Sequence, residues 1–248
     1  MLIDTHCHIH ETEYPLDVSE VLRHAQDAGV AKMICVGTSE QSSLEATQFA
    51  EMHDHIYASI GVHPHEAKDG YGKLAEMNST KVIAVGEIGL DYFYTHSSRD
   101  VQIAALKDQI ELAIDRDLPI IFHVRDAFDD FWPIYDSYSS KIRGVLHSFT
   151  DSRDNMTAAV ARGLYIGVNG ISTFTKDKKQ QEMFAAIPTG HLLLETDAPF
   201  LTPTPLRGTV NEPAFVRYVA EHHAKIRGLS LEEIATQTST NAHALFAL

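Results

Sequence analysis

The chain has 248 residues, 44% of them hydrophobic and 22% charged, which is enough apolar material to bury a core and excludes a disordered chain. Its 34 acidic against 20 basic residues leave a net charge of −14, a field that repels polyanions at long range, so composition by itself does not suggest nucleic acid. No basic-then-apolar leader opens the sequence and nowhere do about 18 apolar residues run together, so neither a signal peptide nor a membrane span is expected. Cys7 and Cys35 each sit in an apolar run and read as buried thiols of a reducing cytoplasm. One domain over residues 1–248 and a monomeric protein are expected.

The first strand-like run is LIDT at 2–5, followed by DVSEVLRHAQDAG, where Val18, Val21, Leu22 and Ala25 share one helical face and Gly29 supplies the stop. Further apolar runs rich in Val and Ile stand at 32–37, 56–62 and 82–88. A long helix is predicted over 98–117, with Val101, Ala104, Ala105, Asp108 and Leu112 following the helical period and Asp100 in the first turn. Strands are then predicted at 119–124, 144–149, 164–169 and 191–196. The proline-dense stretch 197–213 reads as an irregular loop, and a loop of that length in a compact domain is usually functional. Eight near-continuous apolar strands separated by helices describe parallel sheet covered on both faces. In about 250 residues they fit a closed (β/α)8 barrel, with a doubly wound open sheet as the alternative.

Fifteen histidines are the one compositional excess, and their placement is more telling than their number. His6 and His8 end the first strand, His63 follows the third, Glu87 ends the fourth, His123 closes the fifth, His147 the sixth, and Asp197 follows the eighth. In a barrel these positions meet at the C-terminal mouth, where barrel active sites are built. One such residue, His123 for example, would read as a satisfied core histidine. The six other than His63, at matching strand ends, read as ligands of two metal centres with positions open to water and substrate, while His63, before a proline, reads either as a loop cap or as a contact to a ligand or the substrate.

The opening run MLIDTHCHIH also holds His10. Strand alternation puts residues two apart on one face, so His6 and His8 can chelate one ion while Cys7 between them points into the core. A rise of about 3.3 Å per residue carries His10 roughly 13 Å beyond His6, so His10 is expected in the loop above the site, touching a ligand or the substrate.

The ordered segments IDTHCH, GVHPH, VGEIGLDY, FHVRDAF, VLHSF and LLLETDAP, with RGTVNEP and the NAHALF ending, closely resemble the TatD family of metal-dependent deoxyribonucleases within the amidohydrolase superfamily. The resemblance implies that His6, His8 and Asp197 hold one metal, that His123 and His147 hold the other, and that Glu87 bridges them. It further implies that His63 and Arg125 hold a phosphate, and that Glu195 either assists the metals or their water or only hydrogen-bonds a ligand histidine. The implied activity is two-metal hydrolysis of DNA phosphodiesters, as a 3′ to 5′ exonuclease preferring single strands, with Asp197 taking the proton from water. Mg²⁺ or Mn²⁺ would support activity, while imidazole-rich ligands also bind Zn²⁺ well.

The chain departs from the family pattern at Asp151, where a glycine often follows HSFT, and at His10, where Asp is usual. Asp151 either burdens the phosphate pocket with charge or caps the helix beginning at Ser152. The acidic surface and a DNA substrate are compatible on different length scales, because Arg125, Arg153, Lys176, Lys178, Lys179 and Arg207 lie on or near the mouth loops; DNA affinity is then expected to be weak and strongly salt-dependent. The rival reading is a hydrolase of the same superfamily acting on a small phosphoester, a lactone or an amide, since the fold does not fix the substrate.

Overall fold

A computed structural model of the chain describes residues 1–94 and 96–248. Its strands are β1 (Leu2–Cys7), β2 (Val30–Val36), β3 (Ile56–Ile60), β4 (Val82–Asp91), β5 (Ile120–Arg125), β6 (Gly144–Leu146), β7 (Tyr165–Val168) and β8 (Leu192–Leu194). The eight form one sheet in chain order, β1 to β8. Past the end of β8, the Asp197 N–H donates to the His6 carbonyl and the His8 N–H to the Ala198 carbonyl, both at 2.8 Å, so the last strand runs on beside the first. That is the order of a (β/α)8 barrel. The doubly wound alternative, whose strand order reverses about its first strand, is excluded.

Between β3 and β4 the described residues form only two 3₁₀ turns, Ala67–Asp69 and Gly72–Glu76; the other strands are each followed by helix: α1 (Val18–Asp27), α2 (Glu40–Glu51), α3 (Arg99–Asp115), α4 (Phe128–Tyr138), α5 (Arg153–Ala161), α6 (Ile171–Phe174), α7 (Lys178–Ala186), α8 (Val216–Arg227) and α9 (Leu231–Phe246). Among the described residues no helix is long and apolar enough to cross a membrane. By internal packing the chain divides into two compact units, residues 35–147, and residues 1–34 with 148–248.

Within residues 35–147, Phe122 of β5 packs against Phe131 and Tyr135 of α4 at ring separations of 5.1 and 6.0 Å, all three buried. Rings of this size each contribute roughly 1.5–3 kcal/mol on burial, and they anchor the strand one residue before His123. Here β4 and β5 pair in parallel with Gly89 opposite His123. A Cβ on Gly89 would collide with the His123 carbonyl oxygen, so only glycine lets the two site-bearing strands approach this closely.

The helix predicted over 98–117 forms as α3, but only part of the expected face turns inward: Ala105 is buried and Leu112 half-buried against the core. Its buried residues are Gln102, Ala105, Leu106, Gln109, Ile110 and Ala113, whereas Val101 is 37% exposed and Asp108 bonds the Tyr71 hydroxyl at the surface. The apolar-period reading falls short because two of the inward residues are glutamines serving loop backbone. Gln102 accepts from the Asp91 N–H and donates to the Asp91 and Ser97 carbonyls. Gln109 accepts from the Val62 N–H and donates to the Val62 carbonyl. Each buried amide thereby satisfies polar backbone where β3 and β4 run out, fixing the segments that carry His63 and Asp91.

In the other unit the first helix follows its prediction, burying Val21 and Ala25. Cys7 is fully buried, as expected, and its thiol donates to the Ile34 carbonyl. Asp151 takes the capping role: it accepts from the Ser152 N–H and from Asn155 Nδ2, beside the N-cap Ser152.

Deep in this unit, His223 of α8 is fully buried between Arg227 Nη1 at 2.7 Å from its Nδ1 and Ser172 Oγ at 3.0 Å from its Nε2. Arginine only donates, so Nδ1 must accept and Nε2 carries the proton. Ser172 in turn donates to the Asn169 carbonyl. Burial, then the charge of Arg227, hold His223 well below the usual imidazole range, so the folded state keeps it neutral while the unfolded chain protonates below about pH 6.5. Stability attributable to His223 is therefore full above that pH and lost as pH falls. Between pH 6.5 and 5.5 the wild type should lose about 1 kcal/mol more unfolding free energy than His223→Asn, as read by urea titration; parallel pH dependence of the two proteins would contradict this.

Candidate metal centre

In the unit made of residues 1–34 and 148–248, the donors gather because β1 and the chain after β8 run side by side. His6 lies within β1, one residue before its end, and His8 just beyond it, a longer strand than the 2–5 expected. Their Nε2 atoms stand 3.1 Å apart. Asp197 Oδ1 lies 3.5 Å from His6 Nε2 and 3.4 Å from His8 Nε2. Ligands 2.0–2.1 Å from a tetrahedral ion stand about 3.3 Å from each other, so the three atoms have the mutual spacing of donors around one cation. Asp197 reaches this place with φ at 60°, a left-handed conformation that Asp tolerates better than most residues and that marks sites where geometry is imposed.

Beneath this trio lies a residue the sequence reading missed. Asp4, on the same strand face as His6 and His8, accepts from the Thr196 hydroxyl at 2.6 Å and from the Thr196 N–H at 2.9 Å. It thus ties β1 to the residue before Asp197. Burial pushes its carboxyl up to about 8 against the lowering effect of those bonds. Glu195, also buried, accepts from the Ser148 N–H at 2.6 Å and faces Asn169 Nδ2 at 3.5 Å, so backbone support is one role it visibly has. His10 is buried, in the turn after His8, with its ring 6.2 Å from that of His8.

Within residues 35–147 the centre of the cluster is Glu87, 4% exposed. Its Oε1 lies 2.9 Å from His123 Nδ1, 2.9 Å from His147 Nε2 and 3.6 Å from His63 Nε2. Glu87 does not end its strand, as expected from the sequence, but sits four residues before the end of β4, which runs on to Asp91. His63 Nδ1 accepts from the His65 N–H, leaving Nε2 as its protonated nitrogen. Burial, then His123, hold His63 well below the usual imidazole range; it is a neutral N–H donor in this cluster. Arg125 ends β5 with its side chain exposed.

The longer β4 exposes a second omission. Glu87, Gly89 and Asp91 alternate onto one face, and Asp91 Oδ2 accepts from His123 Nε2 at 3.0 Å, with His65 Nε2 at 3.1 Å from the same oxygen. Burial alone would raise the Asp91 carboxyl, but the His123 ring and the Tyr94 N–H hold it well below the usual carboxylate range. For His123, burial is outweighed by Asp91 and Glu87, which raise it. A histidine that presents one nitrogen to the site and donates from the other to a carboxylate has the arrangement usual for metal ligands. The spacing in GEIGLDY, with Asp91 in step with Glu87, was the available signal.

Nitrogen and carboxylate donors in both sets suit a divalent ion, and imidazole-rich sets suit Zn²⁺ or Mn²⁺. Replacing Asp91 with Asn keeps the loop hydrogen bonds and removes the anion behind His123. Asp91→Asn should weaken Zn²⁺ or Mn²⁺ binding roughly 10- to 100-fold in isothermal titration with the circular dichroism spectrum intact; unchanged affinity would contradict the role given to Asp91.

The family model described as TatD related DNase matches residues 3–247. The "Uncharacterized metal-dependent hydrolase YabD" of Bacillus subtilis is 39% identical with all of both chains covered. The "3'-5' ssDNA/RNA exonuclease TatD" of Erwinia tasmaniensis is 34% identical, again over both whole chains. Among solved structures, the TatD homolog YjjV of Escherichia coli superposes with a TM-score of 0.92 at 31% identity, covering 100% of this chain and 98% of that one. The match spans the chain and both donor sets, and the chain belongs to the TatD family of metal-dependent hydrolases.

Proposed function

We propose that this enzyme is a metal-dependent deoxyribonuclease that removes nucleotides from the 3′ end of single-stranded DNA, with one divalent ion held by His6, His8 and Asp197 and one by Glu87, His123 and His147. The observation that carries the reading is the pair of donor sets, each with a carboxylate oxygen among imidazole nitrogens at 2.9–3.5 Å. The exonuclease designation of the Erwinia relative supports the substrate class. Mg²⁺ or Mn²⁺ is the proposed working cofactor, Zn²⁺ a tight-binding alternative. A cytoplasmic, monomeric enzyme is proposed with it.

Divalent ions so bound would lower the pKa of a water and polarise a phosphoryl oxygen. The remaining work belongs to the side chains. Asp197 accepts the proton from the attacking water, its carboxylate being 16% exposed where the other site carboxylates are nearly closed off. His63, neutral and protonated on Nε2, donates to a non-bridging phosphate oxygen, and Arg125 neutralises the same phosphate from its exposed position. A neutral donor serves here because a second fixed cation beside the ions would disfavour metal loading.

The test uses oligonucleotides labelled at the 3′ or 5′ end, with metal-stripped protein restored with Mg²⁺, Mn²⁺ or Zn²⁺ singly. Stepwise loss from the 3′ end is expected, falling about 10²–10⁴-fold in Asp197→Asn and at least as far in Glu87→Ala. Inertness on DNA with metal-dependent turnover of a lactone or a small phosphodiester would overturn the nuclease reading and leave the rival hydrolase.

A further inference from the structure

The loop after β4 carries two large rings that folding leaves in water, Phe93 at 54% and Tyr94 at 44% exposure. Adjacent exposed aromatics on a soluble enzyme mark a surface that something covers. Their backbone is held firmly. The N–H groups of Phe93 and Tyr94 both donate to Asp91 Oδ1, at 3.0 and 3.1 Å, while the other oxygen of that carboxylate accepts from His123. One buried side chain thus sets the rings and a proposed metal ligand in a common frame. Gln102 locks the Asp91 backbone from below.

Arg125 completes the surface. Its guanidinium lies over the Phe93 ring at 3.9 Å and near the Tyr94 ring at 5.2 Å, and the Tyr92 N–H donates to its carbonyl at 3.0 Å. The two rings stand edge to face, 4.7 Å apart at 83°, which gives the pair faces of different orientation. Paired aromatics with an arginine are the recognition elements of single-stranded nucleic acid: the rings stack on unpaired bases and the guanidinium meets the phosphate between them. A duplex hides its base faces in its own stack and gains nothing from such a surface. An anionic membrane is disfavoured by the net charge of −14.

The geometry points to Phe93 and Tyr94, with Arg125 beside them, as a platform on which an unpaired base of the substrate strand stacks, registering the strand against the Glu87–His123 cluster. This rests on the nuclease reading and deepens it: it makes single-strand preference a property of the loop after β4.

The experiment uses a short oligonucleotide with 2-aminopurine at or next to its 3′ end and metal-stripped full-length protein, so that binding is read without turnover. Stacking should quench the fluorescence on the wild type. The Phe93→Ala/Tyr94→Ala protein should lose the quench and bind about 10- to 100-fold more weakly, with Phe93→Trp restoring both. In Mg²⁺ or Mn²⁺, the wild type should prefer a base-bearing over an abasic 3′ end, and the double variant should show a preference near unity. Equal quenching by wild type and double variant, or an undiminished preference in the variant, would overturn the platform while leaving the nuclease reading standing. A wild type that cuts no oligonucleotide would overturn both.

Discussion

A carboxylate taken out of water must be met by positive charge or strong donors, and the arrangement around Glu87 answers that requirement. Its Oε1 has His123 and His147 nitrogens at 2.9 Å and His63 at 3.6 Å. Imidazole is the one side chain that can meet it either by carrying a proton or by yielding its lone pair to a cation shared with the carboxylate. In the metal centre proposed here the second option applies. The trio of His6, His8 and Asp197 repeats the logic, with two Nε2 atoms brought to 3.1 Å beside a carboxylate oxygen.

Around these donors the chain uses buried polar groups as fixtures. Asp91 holds His123 from behind and the aromatic loop from its other oxygen. Asp4 pins β1 to Thr196, and Gln102 and Gln109 bind the backbone where β4 and β3 end. Leaving any one of their partners unsatisfied would cost about 1–3 kcal/mol. The same groups also restrict the orientation of the proposed ligands, which is how a supporting layer keeps a site near its productive geometry. Stability and preorganisation therefore draw on the same residues here.

The barrel was legible because its signal is collective: eight apolar runs and intervening helical stretches in the right order. The donors were legible because polar residues at strand ends stand out against Val and Ile. Strand limits were less so. The predicted run 82–88 stops short of Asp91, since the last three residues of β4, Gly89 to Asp91, look like a turn in sequence and are strand paired with β5. The inward face of α3 was partly misread for a related reason: buried glutamines satisfied by loop carbonyls and amides carry no apolar signature. Asp4 carries no signal of its own in the sequence, and only its closeness to Thr196, 192 positions away, reveals its role. What the sequence concealed was long-range polar pairing, which has no local period.

The central claim is that two separate donor sets each hold one divalent ion. Its most direct test is the metal content of purified protein equilibrated with Zn²⁺ or Mn²⁺ and freed of excess, measured by plasma mass spectrometry for the wild type, His8→Ala and His147→Ala. Two ions per chain are predicted for the wild type and about one for each variant. A single ion in the wild type, or two ions retained in both variants, would contradict the account.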